Sequence, residues 1–332
     1  MAVVGSLVFS AATGFSGLLA GRVLCGAGVS ACLMAPLTGY RRWLEPVAQM
    51  RANSWMLMTG SLGMVASTLP VQWALPLVGW RPLFWGLAVL IALSMVVIAL
   101  WVPGWGSAGQ AKADSGAAEA VPQGYGVVWR HPYFQRLAPL GFFCYGGMVA
   151  MQTLWAGPWM QRVAGYTALE SATGLFWINV SMLCTFWTWG MVNPWLLRKG
   201  FGADRLMAMG LPLCSVVLLG IILAGPQAGG GAWALFCVSC TFVSLSQPAV
   251  AMAFPQALAG RALSAYNLVI FVGVFVVQWG IGLAVDAFAA AGLATVPAFQ
   301  AAMAVYLACN AGAYAWFLLR GRRHNVLTTP TP

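Results

Sequence analysis

GLLAGRVLCGAGVSACLMAPLTGYRRW, residues 17–43, is an apolar run with one arginine, Arg22, inside it and two more, Arg41 and Arg42, at its end. Its uncharged part is as long as the roughly 20 residues that a helix needs to cross a bilayer's hydrocarbon. A surface helix of a soluble domain would carry a polar stripe along one side, and this run has none. The rest of the chain has the same character: 61% of the 332 residues are hydrophobic and 7% charged, with a mean hydropathy of +0.82. Six acids and two histidines cannot cover a soluble protein of this length. Composition therefore defines an α-helical, multi-spanning membrane protein.

Apolar windows place nine full spans, at about 17–39, 54–78, 82–103, 137–160, 170–196, 205–225, 231–255, 263–288 and 297–319. The opening MAVVGSLVFSAATG is too short to span and has no basic region ahead of it, so it reads as the second half of a helix rather than a cleavable signal. That makes about ten segments. Strands are excluded, because barrel strands are short and alternating whereas these runs are continuous. Residues 104–136, rich in Gly, Ala, Ser and charge, read as a linker between two helical bundles, with an ordered segment beginning at Pro132.

If the chain crosses at every span, one side collects Arg41, Arg42, Arg51, Lys112, Arg130, Arg136, Arg198, Lys199, Arg205, Arg261, Arg320, Arg322 and Arg323. The other side receives only Arg81 and Arg162. By the positive-inside rule the first side, with the C-terminus, is cytoplasmic. The net charge of +10 is thus a topology signal, and no nucleic-acid partner is expected. All eight cysteines lie in apolar runs, where they read as packing residues, and the Cys237/Cys240 pair lacks further ligands for a metal. No cofactor is implied.

Four stretches, in order, resemble the major facilitator superfamily. LLAGRVLCGAG resembles that family's fourth-helix motif, matched at Arg22 and Gly26; GWRPLF (79–84) resembles its turn between helices five and six. WLLRKGFGADRLMAMG (195–210) is similar to the second copy of its signature loop, and residues 254–288 to its tenth-loop and eleventh-helix region. RANSWMLMTGSLG (51–63) and RALSAYNLVIFVG (261–273) also share Arg, Ala, Ser and Gly at equal spacing, which favours two related halves.

The resemblance implies a two-bundle fold of all-α type. Residues 1–103 would form a partial N-terminal bundle (family helices three to six), 104–136 a cytoplasmic linker, 137–320 a six-helix C-terminal bundle and 321–332 a cytoplasmic tail. It also implies that the first two and a half helices are missing, through a misplaced start or a reduced protein.

Arg22 has two readings. It could snorkel to the outer interface, or, as the resemblance implies, face the solute cavity. Of the acids Glu45, Asp114, Glu119, Glu170, Asp204 and Asp286, only Asp286 lies near a span, close to its outer end. A cavity arginine without a carboxylate suits an anionic solute. Tyr145, Gln152, Trp155 and Trp159 recur at helical spacing in the run that would be family helix seven, as a packing stripe or a cavity lining. Asn179, Gln247, Asn267, Gln278 and Asn310 either bond between helices or converge on a solute.

Candidate solute-pathway residues are therefore Arg22, Gly26, Tyr145, Gln152, Trp155, Asn179, Gln247 and Gln278. Arg41, Arg42, Arg198, Lys199, Arg205 and Arg261 are candidates for topology and the cytoplasmic gate. A membrane enzyme would need paired acids, a haem protein buried histidines and a retinal protein a buried lysine, and none of these is present. The expectation is a secondary active transporter of a small organic solute in the bacterial inner membrane, with a coupling proton or ion as an open partner. The alternative is a transport-inactive remnant or a receptor-like scaffold.

Overall fold

The computed structural model describes residues 1–30, 32, 35, 36, 39, 56, 59–102 and 124–326. The described residues are helical and contain no strand. They belong to two compact units, Met1–Glu119 and Ala120–Pro332.

In the first unit, α1 (Ala2–Ala11) runs back along α2 (Phe15–Val29) and also packs on α5 (Trp80–Trp101). Glycines set the α1–α2 distance. A Cβ on Gly21 would lie 2.7 Å from the Phe9 backbone nitrogen, and one on Gly28 would strike the Ala2 backbone. Gly26, by contrast, meets no described atom within 4 Å, and neither do Gly60 and Gly63. Close approach therefore falls to Gly21 and Gly28.

Helix α3 (Thr59–Ala66) bends by 47° into α4 (Leu69–Val78). Gly79, at φ +75°, then turns the chain into α5. Such a left-handed backbone conformation suits glycine, which has no Cβ to clash.

The second unit holds α6 (Tyr125–Arg130), α7 (Pro132–Arg162), α8 (Ala168–Arg198), α9 (Ala203–Ala224), α10 (Gly230–Met252), α11 (Gln256–Ala290) and α12 (Thr295–Val326). Thr167 opens α8 with a reciprocal cap. Its backbone N–H donates to Glu170 Oε2 at 2.8 Å, and the Glu170 N–H donates to Thr167 Oγ1 at 3.2 Å. Trp159, Trp233, Tyr266, Phe134, Phe236, Phe299 and Phe317 fill the core of this unit together with Cys144, Cys214, Cys237 and Cys240.

Among the described residues, seven helices are long and apolar enough to cross a membrane, or eight if the bent α3–α4 pair is one span. They coincide with the spans expected from 54 onward. The span expected at 17–39 is described as α2 alone, and positions 31, 33, 34, 37 and 38 lie outside the described residues. Helix α5 turns Leu90, Val96, Val97, Leu100 and Trp101 outward. An apolar exterior of this kind is stable in lipid and not in water.

Helix α7 departs from regular α geometry. It contains two π-helical turns, Leu140–Tyr145 and Met151–Trp155. Pro139, which has no N–H to donate, stands just before the first. Carbonyls beside that turn accept from tyrosines of other helices: Tyr266 Oη donates to Leu137 O and Tyr306 Oη to Phe143 O, both at 3.2 Å. Glycines make room for both rings, since a Cβ on Gly141 would lie 2.8 Å from Tyr266, and one on Gly147 would strike the Tyr306 hydroxyl.

Candidate functional site

Arg22 lies seven residues past the first residue of α2, about 10 Å along its axis. Its guanidinium sits 4.6 Å from the ring centroid of Phe9 on α1 and 5.5 Å from that of Phe84 on α5. Cation–π attraction of this kind uses none of the guanidinium's N–H donors, which stay available for other partners. Among the described residues no carboxylate forms an ion pair with it.

Arg81, the other arginine of this unit that the structure describes, has a structural task. Its Nε donates to Ser10 O and its Nη2 to Ala12 O, each at 3.2 Å, where α1 ends. A cation there complements the negative end of the helix dipole.

In the second unit the candidate amides pair between helices. Gln152 Nε2 donates to Asn179 Oδ1 at 2.7 Å, linking α7 to α8, and both residues are buried. Gln247 Nε2 donates to Asn267 Oδ1 at 2.6 Å, linking α10 to α11. Trp155 Nε1 donates to the Gln278 carbonyl at 3.0 Å, and Gln278 Nε2 returns to Thr153 Oγ1 at 3.0 Å. Thus α7 and α11 are stitched at the second π turn.

Trp155 and Trp159 of the aromatic stripe pack on the same ring, Phe299, while Tyr145 lies apart from them. Tyr145 is half-buried against the core, Trp155 meets Phe299 at 6.0 Å, and Trp159 is buried against Trp233 with its Nε1 donating to Ala228 O at 3.1 Å. The π turn Met151–Trp155 separates Tyr145 from the two tryptophans, because it holds more than 3.6 residues and rotates the next part of the helix.

Gln152→Leu is expected to lower stability by about 1–2 kcal/mol, because Asn179 Oδ1 is left buried without its donor. Adding Asn179→Leu should restore part of that loss. Melting curves of the single and double variants in detergent measure it, and a double variant that loses the sum of both would refute the pairing.

Between α7 and α11 lies a cleft of about 350 Å³ lined by Leu154, Phe275, Gln278, Trp279, Gly282, Leu283 and Asp286. Of these, only Gln278 is a candidate from sequence. The signal for the others on α11 is their spacing of three and four residues along that helix.

On the face carrying the loop of residues 195–210, Arg198 is exposed, Lys199 Nζ lies 4.1 Å from the Trp195 ring centroid and Arg205 Cζ 4.7 Å from that of Phe201. Arg261 is half-buried on α11; Arg41 and Arg42 lie outside the described residues. The ion pair seen here is instead Arg136 Nη1 with Asp204 Oδ2, at 2.5 Å. Asp204 Oδ1 also accepts from Tyr133 Oη at 2.6 Å, and Arg136 Nε donates to Phe317 O at 3.0 Å. Sequence reasoning assigns Arg136 only to a side of the membrane.

These features define a polytopic helical membrane protein with polar groups held inside its helical packing. The sequence profile of the Major Facilitator Superfamily matches residues 1–278, and the chain belongs to that family. It is a multi-pass membrane protein of the transporter class and not an enzyme. The fold is similar to that of a bacterial homologue of the human lysosomal transporter Spinster. In the inward-facing, occupied form of that homologue the TM-score is 0.68 at 13% identity, covering 97% of this chain and 80% of that one. In its inward-facing, unoccupied form the values are 0.66 and 15%, over 97% and 81%. No curated protein sequence matches the chain.

Proposed function

We propose that the protein is a secondary active transporter that moves a small organic solute by alternating access, and that the solute is an anion engaged by Arg22. The observation that carries this reading is the Arg22 guanidinium, stacked on Phe9 and Phe84 within an apolar helix and without a carboxylate partner among the described residues. A cation so placed favours a carboxylate or phosphate through charge-assisted hydrogen bonds.

Gly26, four residues on, leaves space beside the arginine. In the second unit Tyr145, Gln152, Trp155, Asn179 and Gln247 are proposed to contact solute in their own right. Arg198, Lys199, Arg205 and Arg261, with Arg41 and Arg42, serve topology and the cytoplasmic gate. The division into residues 1–103, 104–136, 137–320 and 321–332, the inner-membrane address and the cytoplasmic C-terminus belong to the same reading, supported by the charge asymmetry of the loops.

The test is uptake or counterflow in proteoliposomes with a panel of small carboxylates and organic phosphates. One or more of these anions should be transported, and Arg22→Ala should reduce that transport about tenfold to a hundredfold, the worth of a hydrogen bond to a charged group. Anion transport that survives in Arg22→Ala, or transport confined to neutral or cationic solutes, would overturn the reading.

A further inference from the structure

We propose that the cleft between Leu154 of α7 and the Phe275–Asp286 face of α11 is a binding site for a small organic cation with an apolar body. The cleft is shallow and open along one side, and its volume, about 350 Å³, is at the lower end of the range of small-molecule sites. Phe275, Gln278, Trp279, Gly282, Leu283 and Asp286 recur every three or four residues and so form one wall.

Each part of that wall has a matching part in such a ligand. Trp279 is 62% exposed and stacked on Phe275 at 6.3 Å with 22° between the planes, a flat surface for an apolar or aromatic group. Gly282 adds no side chain to the wall, and a Cβ there would lie 3.6 Å from Trp155 Cζ2.

The one charge in the wall is negative. Gln278 gives one amide N–H to Thr153 and keeps its Oε1 as an acceptor beside its second N–H. Asp286 is exposed and has no Lys or Arg in an ion pair with it among the described residues. Gln278 and Asp286 are eight residues apart, about 12 Å along the helix axis. An elongated ligand spans that distance with its positive end at the carboxylate and its body against Trp279. Anions are disfavoured, because the cleft presents them with a negative charge and no cationic donor.

This site lies wholly in the second unit and does not depend on the role given to Arg22. Its test is accordingly one of binding rather than transport. The full chain, purified in maltoside micelles, is dialysed against labelled phenylbutyltrimethylammonium, a permanent cation with an aromatic end, in competition with phenylpentanoate, an anion of similar shape.

Saturable cation binding is expected. Asp286→Asn should weaken it about tenfold or more, Asp286→Glu should keep most of it, and phenylpentanoate should fail to compete. Gly282→Leu, which keeps the carboxylate but fills the cleft, should abolish binding. If Asp286→Asn does not fold, Gly282→Leu decides the matter alone. Absence of saturable binding, equal binding by Asp286→Asn or Gly282→Leu in folded protein, or competition by the anion would overturn the proposal.

Discussion

Gly273→Val is expected to prevent accumulation of folded protein. A Cβ on Gly273 would strike the carbonyl oxygen of Phe142 and lie 2.8 Å from the Phe142 Cα. The reverse clash is as close: a Cβ on Gly146 of α7 would lie 2.8 Å from Gly273 C and from Val274 N, and 2.9 Å from Ile270 O. Every obstructing atom is backbone, so no change of rotamer can relieve the contact. The two helices would have to separate, breaking the Trp155 and Gln278 hydrogen bonds further along the same seam. Overpacking that cannot relax costs about 3 kcal/mol or more, a large part of a typical domain's stability.

Gly280, seven residues further along α11, meets no described atom within 4 Å and supplies the control. Gly280→Val should behave as wild type within about 0.5–1 kcal/mol. Detergent size-exclusion profiles and melting curves of the two variants compare them directly. Equal behaviour would show that α7 and α11 do not cross at Gly146 and Gly273.

The second large effect is expected at Arg136. Its guanidinium pairs with Asp204 at the start of α9, donates to the Phe317 carbonyl and lies 4.2 Å from the Phe317 ring centroid on α12. One side chain thus joins the ends of α7, α9 and α12. The Arg136 side chain is 15% exposed and that of Asp204 38%, so the loss should be smaller than the several kcal/mol of a fully buried pair. Arg136→Leu should cost about 2–3 kcal/mol. Asp204→Asn should cost about 1 kcal/mol, because the Asn can still accept from Tyr133. The double variant should be less unstable than the sum by about 1 kcal/mol. Strict additivity in detergent unfolding experiments would show that the charges do not interact.

Much of this architecture is legible in the amino-acid sequence, because a hydrocarbon solvent leaves few solutions. Continuous apolar runs mark α5 and α7 to α12, and the sidedness of Arg and Lys orders them. Arg22 stands out as a cation where a cation is costly. The site is less legible. Gln152 and Asn179 are recognisable as mid-helix amides, but which amide bonds which depends on packing between helices and not on spacing along one.

Asp286 reads only as an acid near a helix end. The approach of α7 to α11 is what makes it part of a cleft with Trp279. The Arg136–Asp204 pair is hidden in the sequence because its members come from different helices, 68 residues apart. Gly26 matches the family motif, yet the close packing of α2 falls to Gly21 and Gly28, because those are the positions that face α1.

The two π turns of α7 give that helix a property the others lack. Each wide turn holds about one residue more than an α turn, so the residues beyond it are out of phase with a straight helix by about 100°. The position of Gln152 opposite Asn179, and of Trp155 beneath Gln278, therefore depends on how many residues precede them as well as on what they are. Removing a single residue between Leu140 and Tyr145 would tighten the turn and swing both side chains away from their partners, although every partner would still be present in the chain. In α7 a deletion acts as a rotation, and the count of residues is under the same constraint as their identity.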